Sequence, residues 1–359
     1  MINIAKPVIG EEEIKAVSDV LKSGILAQGE KVREFEKNFA KYIGVKYGIA
    51  TSSGTTALQT ALMGYDIKEG DEVITTSFTF AATANSILSV NAKPVFVDIH
   101  EDNFNINPDL IQEKITKKTK AIIAVSLFGL MPDMDKISEI CKNNNLILIE
   151  DAAQAHGAEF KQRKAGSFGA GCFSFYPTKN MTTSEGGLIT TNDEQFAEKC
   201  RMIINHGSKT RYYHEIFGLN FRMTNIAGAI GIEQLKKLDF FNNKRIENAN
   251  YLIKNLKDSN IVLPKVKEGY KHVFHQFTIL TENRDEVLKK LLDNGIKGDI
   301  FYPKPVFEQP IYKKFGYDGK EFKVVNELCK KVLSLPVHPS LTRDELDYII
   351  KILKEITWR

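Results

Sequence analysis

Short apolar runs alternate with amphipathic stretches through the first half of this chain, a rhythm that few architectures satisfy. YGIAT (47–51), EVITT (72–76), PVFVDI (94–99), AIIAVSLFG (121–129) and LILIED (146–151) read as strands. Helical spacing of apolar residues runs over 57–63, 81–90 and 135–143, and another helix is expected after the turn at Asn107 and Pro108. Two amphipathic helices, 11–21 and 31–43, precede the first strand. Near-continuous apolar strands need cover on both faces. The expected fold class is therefore α/β, with a mostly parallel central sheet between layers of helices.

The pattern changes after Thr224. Residues 226–256 read as one long helix or a pair, with a weak stop at Asn242 and Asn243. A strand over 274–280, a helix over 284–294, a Pro-rich loop over 302–310 and helices over 323–333 and 343–356 follow. The last helix has an N-cap in Thr342 with Glu345 three residues on. A chain of 359 residues accommodates two domains. The expectation is a large domain over 1–240 and a smaller C-terminal α+β domain over 241–359.

Bulk properties exclude several classes. Against 49 basic residues stand 45 acidic ones, and the basic residues are dispersed, so no nucleic-acid partner is expected. Cys141, Cys172, Cys200 and Cys329 are far apart and make no CxxC or Cys/His spacing, so no metal is expected. The first residues, MINIAKPVIGEEE, are acidic where a secretory signal would be apolar, and the apolar run 121–131 is too short to span a bilayer. The expectation is a cytoplasmic protein with no membrane partner.

The segment SFYPTKNMTTSEGG (174–187) places Lys179 in a polar turn after an aromatic, strand-like run. Such a lysine is either a solvated loop residue or an amine held to form a Schiff base, with a pKa lowered by its neighbours. The second reading would suit pyridoxal 5′-phosphate (PLP), and each other requirement of that cofactor finds a candidate. TSSGTTAL offers Gly54 and Thr55 at a helix N-terminus to cradle a phosphate, or else simply an N-cap. Asp151 ends a very apolar strand and is either a helix N-cap or the partner of a buried cation, such as a protonated pyridine nitrogen. Gln154 is placed to reach a ring hydroxyl or to be exposed. Phe78 and Phe80 are stacking or core residues, and Ser174 is a possible phosphate donor. The candidates cluster at strand ends of one α/β domain, and together they argue more strongly than any one alone.

Taken together, ILAQGEKVREFE, ATSSGTTALQTAL, TTSFTFAATANSI, IEDAAQAHGAEF, CFSFYPTKNMTTSEGGLITT, GLNFRMTNIAGAIG and LSLPVHPSLT resemble the nucleotide-sugar aminotransferases of the DegT/DnrJ group, within the aspartate-aminotransferase-like superfamily of PLP enzymes (fold type I). The resemblance spans nearly the whole chain. It implies that Lys179 carries the cofactor and shuttles a proton, that Asp151 pairs with the pyridinium, and that Gln154 contacts the ring hydroxyl side. It further implies that Phe80 stacks on the ring and that Gly54, Thr55 and Ser174 hold the phosphate. Asn220 would reach the phosphate of a neighbouring subunit, making a homodimer with shared sites. Arg222 would meet an anionic substrate group, or form an interface salt bridge. His156 and His338 fall in matching motifs but read as structural.

The implied reaction moves an amino group from L-glutamate to a keto group at carbon 3 or 4 of a nucleotide-linked sugar, for surface glycan or lipopolysaccharide synthesis. Some members of the group carry His in place of the lysine and act as dehydratases; Lys179 favours amino transfer. Two alternatives stand beside it. One is a catalytically inactive regulatory protein on the same fold. The other is a different fold-type-I activity such as sulfur transfer, for which Cys172 is the nearest thiol in sequence but sits in a strand.

Overall fold

A computed structural model describes residues 1–357 of the chain. Helices α1 (Glu11–Ser23) and α2 (Glu30–Ile43) lead into β1 (Tyr47–Thr51), α3 (Gly54–Gly64), β2 (Glu72–Thr76), α4 (Ala81–Ser89), β3 (Lys93–Val97), β4 (Thr119–Val125), α5 (Met134–Asn143) and β5 (Ile147–Asp151). Short strands β6 (Glu159–Phe160) and β7 (Arg163–Lys164) precede β8 (Ala170–Ser174), β9 (Gly187–Thr191) and α6 (Glu194–Ile203). A small hairpin, β10 (Ser208–Thr210) and β11 (Tyr213–His214), comes before the long helix α7 (Asn225–Leu256). The remainder is β12 (Tyr270–Lys271), β13 (Phe277–Leu280), α8 (Arg284–Asp293), α9 (Lys323–Lys331), β14 (Val332–Leu335) and α10 (Arg343–Thr357).

Seven strands form the central sheet in the order β1-β9-β8-β5-β4-β2-β3. The pairs β2–β3, β2–β4, β4–β5 and β5–β8 are parallel, and only β9 runs against its neighbours. Both faces are covered, which is why its strands read as unbroken apolar runs. Along β4, Ile122 and Ala124 pack on one face of the sheet with Phe35, Phe39 and Phe173, while Ala121 and Ile123 pack on the opposite face beneath α3 and α6. Each such fully buried isoleucine contributes on the order of 1.5–3 kcal/mol. A second core gathers Phe277, Ile279, Leu333 and Leu335 of the β13–β14 pair with Leu291, Leu346 and Leu353. Among the described residues no helix is long and apolar enough to cross a membrane.

Helix α7 joins the two cores: Ala227, Ile232 and Leu238 pack in the first, Ala249, Leu252 and Leu256 in the second. The domain division expected at residue 240 falls within it. No break occurs at Asn242. Its buried carboxamide donates to the His156 carbonyl (2.8 Å) and accepts from Asn180 Nδ2 (2.8 Å), so it does not compete with the helix backbone.

Four expectations need correction. After Asn107 there is no α-helix but two 3₁₀ turns, Pro108–Leu110 and Gln112–Lys114. The run 121–129 stops being a strand at Val125, and Leu127–Gly129 is a turn with Phe128 at φ 58°. The strand expected from 274 begins at Phe277, because Phe274 sits at φ 43°. The helix expected over 323–333 ends at Lys331, where Val332–Leu335 pair with β13 and bury all four residues.

The turn between β8 and β9 is pressed against the start of α3. A Cβ at Gly187 would stand 2.1 Å from the Ser53 carbonyl oxygen, and one at Gly54 would stand 2.6 Å from Ser174 Cβ. Gly187→Ala is therefore expected to overpack this junction and lower stability by about 1–3 kcal/mol. A urea denaturation midpoint lower than that of the parent chain checks it.

Candidate active site

The carboxyl ends of β1, β2, β4, β5 and β8 converge on one cavity of about 520 Å³, the place where parallel sheets bind ligands. Lining it are Gly54, Thr55, Phe80, Asp151, Gln154, Ser174 and Lys179, all singled out from the sequence. Asn220 and Arg222 lie outside it. Asn220 is exposed and bridges to Asn205, and Arg222 Nη1 donates to Asn205 Oδ1 (2.6 Å).

One wall is the N-terminus of α3. The Ser53 hydroxyl accepts from the Thr56 N–H (3.1 Å), and Thr56 Oγ1 accepts from the Ser53 N–H (2.9 Å). This reciprocal cap leaves the Gly54 and Thr55 N–H groups without intrahelical acceptors, at the positive end of the helix dipole. Gly54 is needed for contact: its missing side chain lets α3 approach Ser174 at the end of β8.

Asp151 forms the floor, 5% exposed at the end of β5. Its Oδ2 accepts from Thr83 Oγ1 (2.7 Å) and its Oδ1 from the Ala153 N–H (3.2 Å). Burial raises its pKa, only partly offset by those two bonds and by the Lys179 charge. Thr83 Oγ1 is itself 2.9 Å from Thr79 Oγ1, so α4 supplies a hydroxyl chain that orients the carboxylate. Sequence reasoning missed this pair, although Thr79 and Thr83 stand four apart at a helix start in TSFTFAATAN.

Gln154 is held at both ends. Its Oε1 accepts from the Phe128 N–H (2.7 Å), which the left-handed turn at Phe128 aims inward, and its Nε2 donates to the Tyr302 hydroxyl (3.2 Å). Phe80 is 59% exposed at the cavity mouth, its ring centroid 6.2 Å from that of Tyr302, while Phe78 is fully buried in the core. Tyr302 and His275 also line the cavity, and neither carried a local signal. They arrive from the Pro-rich loop and from the approach to β13.

Lys179 is clamped through its neighbours. Asn180 Nδ2 donates to Asn242 Oδ1 (2.8 Å) and the Val273 carbonyl (3.0 Å). Thr182 Oγ1 donates to the Phe175 carbonyl (2.8 Å), and the Thr182 N–H donates to Gln234 Oε1 (3.3 Å). The lysine keeps some solvent access through the cavity, yet its surroundings are dry enough that desolvation lowers its pKa to about 8, with the Asp151 charge opposing that shift. It is not a solvated loop lysine. His156, by contrast, is packed among Phe39, Phe173 and Phe175, and burial lowers its pKa to about 3. It stays neutral and structural.

The donor set fits PLP. An anion-binding helix end, a buried carboxylate, an aromatic face and a low-pKa amine surround one cavity of sufficient size. The family described as "DegT/DnrJ/EryC1/StrS aminotransferase family" matches residues 7–354. The chain is 40% identical to "Pleiotropic regulatory protein" of Geobacillus stearothermophilus, covering 96% of this chain and 94% of that one. It is 37% identical to the "UDP-N-acetyl-3-dehydro-alpha-D-glucosamine 3-aminotransferase" of Acidithiobacillus ferrooxidans, covering 96% and 93%. The solved structure of S. venezuelae DesV in complex with a ketimine intermediate superimposes with a TM-score of 0.95 at 36% identity, covering 97% and 95%.

An amine of pKa about 8 is half deprotonated at pH 8, against well under ~1% for an ordinary lysine. In cofactor-free protein Lys179 is expected to react with trinitrobenzenesulfonate with a pH midpoint near that value. Asp151→Asn removes the charge that favours the ammonium form, so the midpoint should move down. Peptide mapping across a pH series checks both; a midpoint in the usual lysine range would contradict the geometry.

Proposed function

The chain belongs to the DegT/DnrJ/EryC1/StrS aminotransferase family, and from that premise we propose that it moves an amino group from L-glutamate to a keto group, at carbon 3 or 4, of a nucleotide-linked sugar. Its activity class is that of PLP-dependent nucleotide-sugar aminotransferases. The observation that carries the reading is the meeting of a Lys179 amine of pKa about 8 with the buried Asp151 in one cavity beside the start of α3.

PLP, when bound, supplies the electron sink that amino transfer requires. The residues of this chain divide the remaining work. The free N–H groups at Gly54 and Thr55, with Ser174, would hold the phosphate. Asp151, fixed by Thr83 and the Ala153 N–H, would keep a proton on the ring nitrogen; its dry surroundings strengthen that pairing. Gln154, its oxygen occupied by Phe128 and one N–H by Tyr302, would offer its second amide N–H to the ring hydroxyl side. Phe80, at the cavity mouth, would cover one ring face. Lys179 would attach the cofactor and then carry a proton between substrate and cofactor carbons, for which a pKa near neutrality is suited.

The same proposal includes a homodimer. Asn220 and Arg222 stand outside their own cavity, which suits a role at the neighbouring subunit's phosphate and substrate. The amino sugar formed suits incorporation into a surface glycan. A regulatory role finds support in the name of the Geobacillus relative. Against a purely regulatory protein stands the retained pair of Lys179 and Asp151.

Adding L-glutamate to the purified protein is expected to replace the visible absorption of the pyridoxal form with the near-ultraviolet absorption of the pyridoxamine form. Lys179→Ala should abolish glutamate-dependent turnover; retained turnover would sink the proposal. Mixing Lys179→Ala chains with Asn220→Ala chains should restore activity well above either variant alone, because one site per mixed dimer keeps both residues. Activity no higher than the sum of the two would remove the shared site.

A further inference from the structure

A second, far smaller cavity lies against the Lys179 turn, between residues 5–8 of the N-terminal segment and the face of α7 that carries Gln234, Phe241 and Arg245. Its charged lining is of one sign. Lys6 and Arg245 bring positive charge to it, the Lys179 turn lines it, and no Asp or Glu of the described residues does. We propose that this cavity is a binding site for a chloride-sized monovalent anion.

The argument rests on Arg245. It is 5% exposed, its Nη1 donates to the carbonyls of Phe274 (3.2 Å) and His275 (3.3 Å), and its Nε is buried without an acceptor. Carbonyl dipoles satisfy part of a guanidinium's hydrogen-bonding capacity but do not cancel its charge. An uncompensated buried cation is costly. Burial lowers the Arg245 pKa to about 10, and no carboxylate offsets the shift. The titratable neighbours give no relief: His156, His275 and His338 are each pushed toward the neutral form, by burial first and by the Arg245 charge in part.

The polar neighbours are also committed. Gln234 Oε1 accepts from the Thr182 N–H, and its Nε2 donates to the Val8 carbonyl and Glu13 Oε1. Asn180 spends its amide on Asn242 and Val273, and its Oδ1 lies 3.3 Å from His275 Nδ1. Size selects the ligand. The cavity offers about 20 Å³, where about 10–15 Å³ is the room that one water needs. A halide fits; a phosphate, a sugar or a nucleotide does not. In the cofactor-free protein a halide there adds negative charge beside the Lys179 turn, acting in the same direction as Asp151 and favouring the protonated amine. This goes beyond the aminotransferase reading and does not depend on it.

The test uses the PLP-loaded protein, so that the anion-binding start of α3 is already filled. Melting temperature is measured in sodium chloride, sodium bromide and sodium gluconate at matched ionic strength. A saturable rise in chloride and bromide that gluconate does not reproduce is expected. Lys6→Gln alters an exposed residue and should raise the half-saturating chloride concentration several-fold; Arg245→Met should abolish saturation. If Arg245→Met fails to fold, bromide-soaked crystals of the parent protein decide. An anomalous peak within hydrogen-bonding distance of Arg245 supports the site. An equal rise in all three salts, or water alone beside Arg245, overturns it.

Discussion

The close approach of β9 to the start of α3 is the constraint on which the site depends. β9 runs against every other strand of the sheet, so the chain must turn back between β8 and β9, and Lys179 lies in that return. The return closes only because Gly187 lets the backbone lie against the Ser53 carbonyl and Gly54 lets the helix lie against Ser174. One packing event thereby brings the helix N-terminus, the end of β8 and the lysine turn to the same edge of the sheet. The lysine is then held from outside its own segment, by Asn242 and Gln234 of α7 and by the Val273 carbonyl. Such a turn is placed by tertiary bonds more than by its local conformation.

The electrostatics of the floor follow from burial. Asp151 and Lys179 each shift toward the neutral form, and for both the desolvation that drives the shift outweighs their mutual attraction. They are therefore poised groups and not a satisfied ion pair. The preceding residue in β5 is also pushed toward its neutral form by burial, but it differs in its partners. Glu150 is fully buried, and its carboxylate accepts from the N–H groups of Gly166 (2.8 Å), Phe168 (2.7 Å) and Gly169 (3.0 Å). Successive residues of a strand project to opposite faces. Glu150 meets a loop that saturates it, while Asp151 meets the cavity with only a hydroxyl and one N–H.

The alternation of apolar runs exposed the parallel sheet because burial on both faces leaves a clear mark on a sequence. Asp151 and Lys179 were legible for a related reason: a carboxylate ending an apolar strand and a lysine between Pro, Thr and Asn are locally out of place. What was hidden depends on distant partners. Thr83 looks like an ordinary helix residue until Asp151 is beside it. His275 and Tyr302 reach the cavity only because the second core packs against the first. Asn242 reads as a helix stop, yet its amide is used up on His156 and Asn180 and the helix runs on. Val332 and Leu333 continue a helical pattern, and only the pairing with β13 makes them the start of a strand.

Helix α7 gives these pieces a common frame. Its first turns pack against α1 and α2, its last turns lie in the second core, and its middle carries the residues that touch the lysine turn and the 273–275 segment. Asn242 bonds to Asn180, and Arg245 bonds to the carbonyls of Phe274 and His275 one helical turn further on. A shift of one core relative to the other must pass through this middle section, and the lysine turn is among the first groups it would displace. A single unbroken helix with buried amide and guanidinium groups resists that shift better than two helices joined by a flexible stop. The cost of burying Asn242 and Arg245 is thus offset where rigidity is needed most, behind the amine that must meet its cofactor in one fixed orientation.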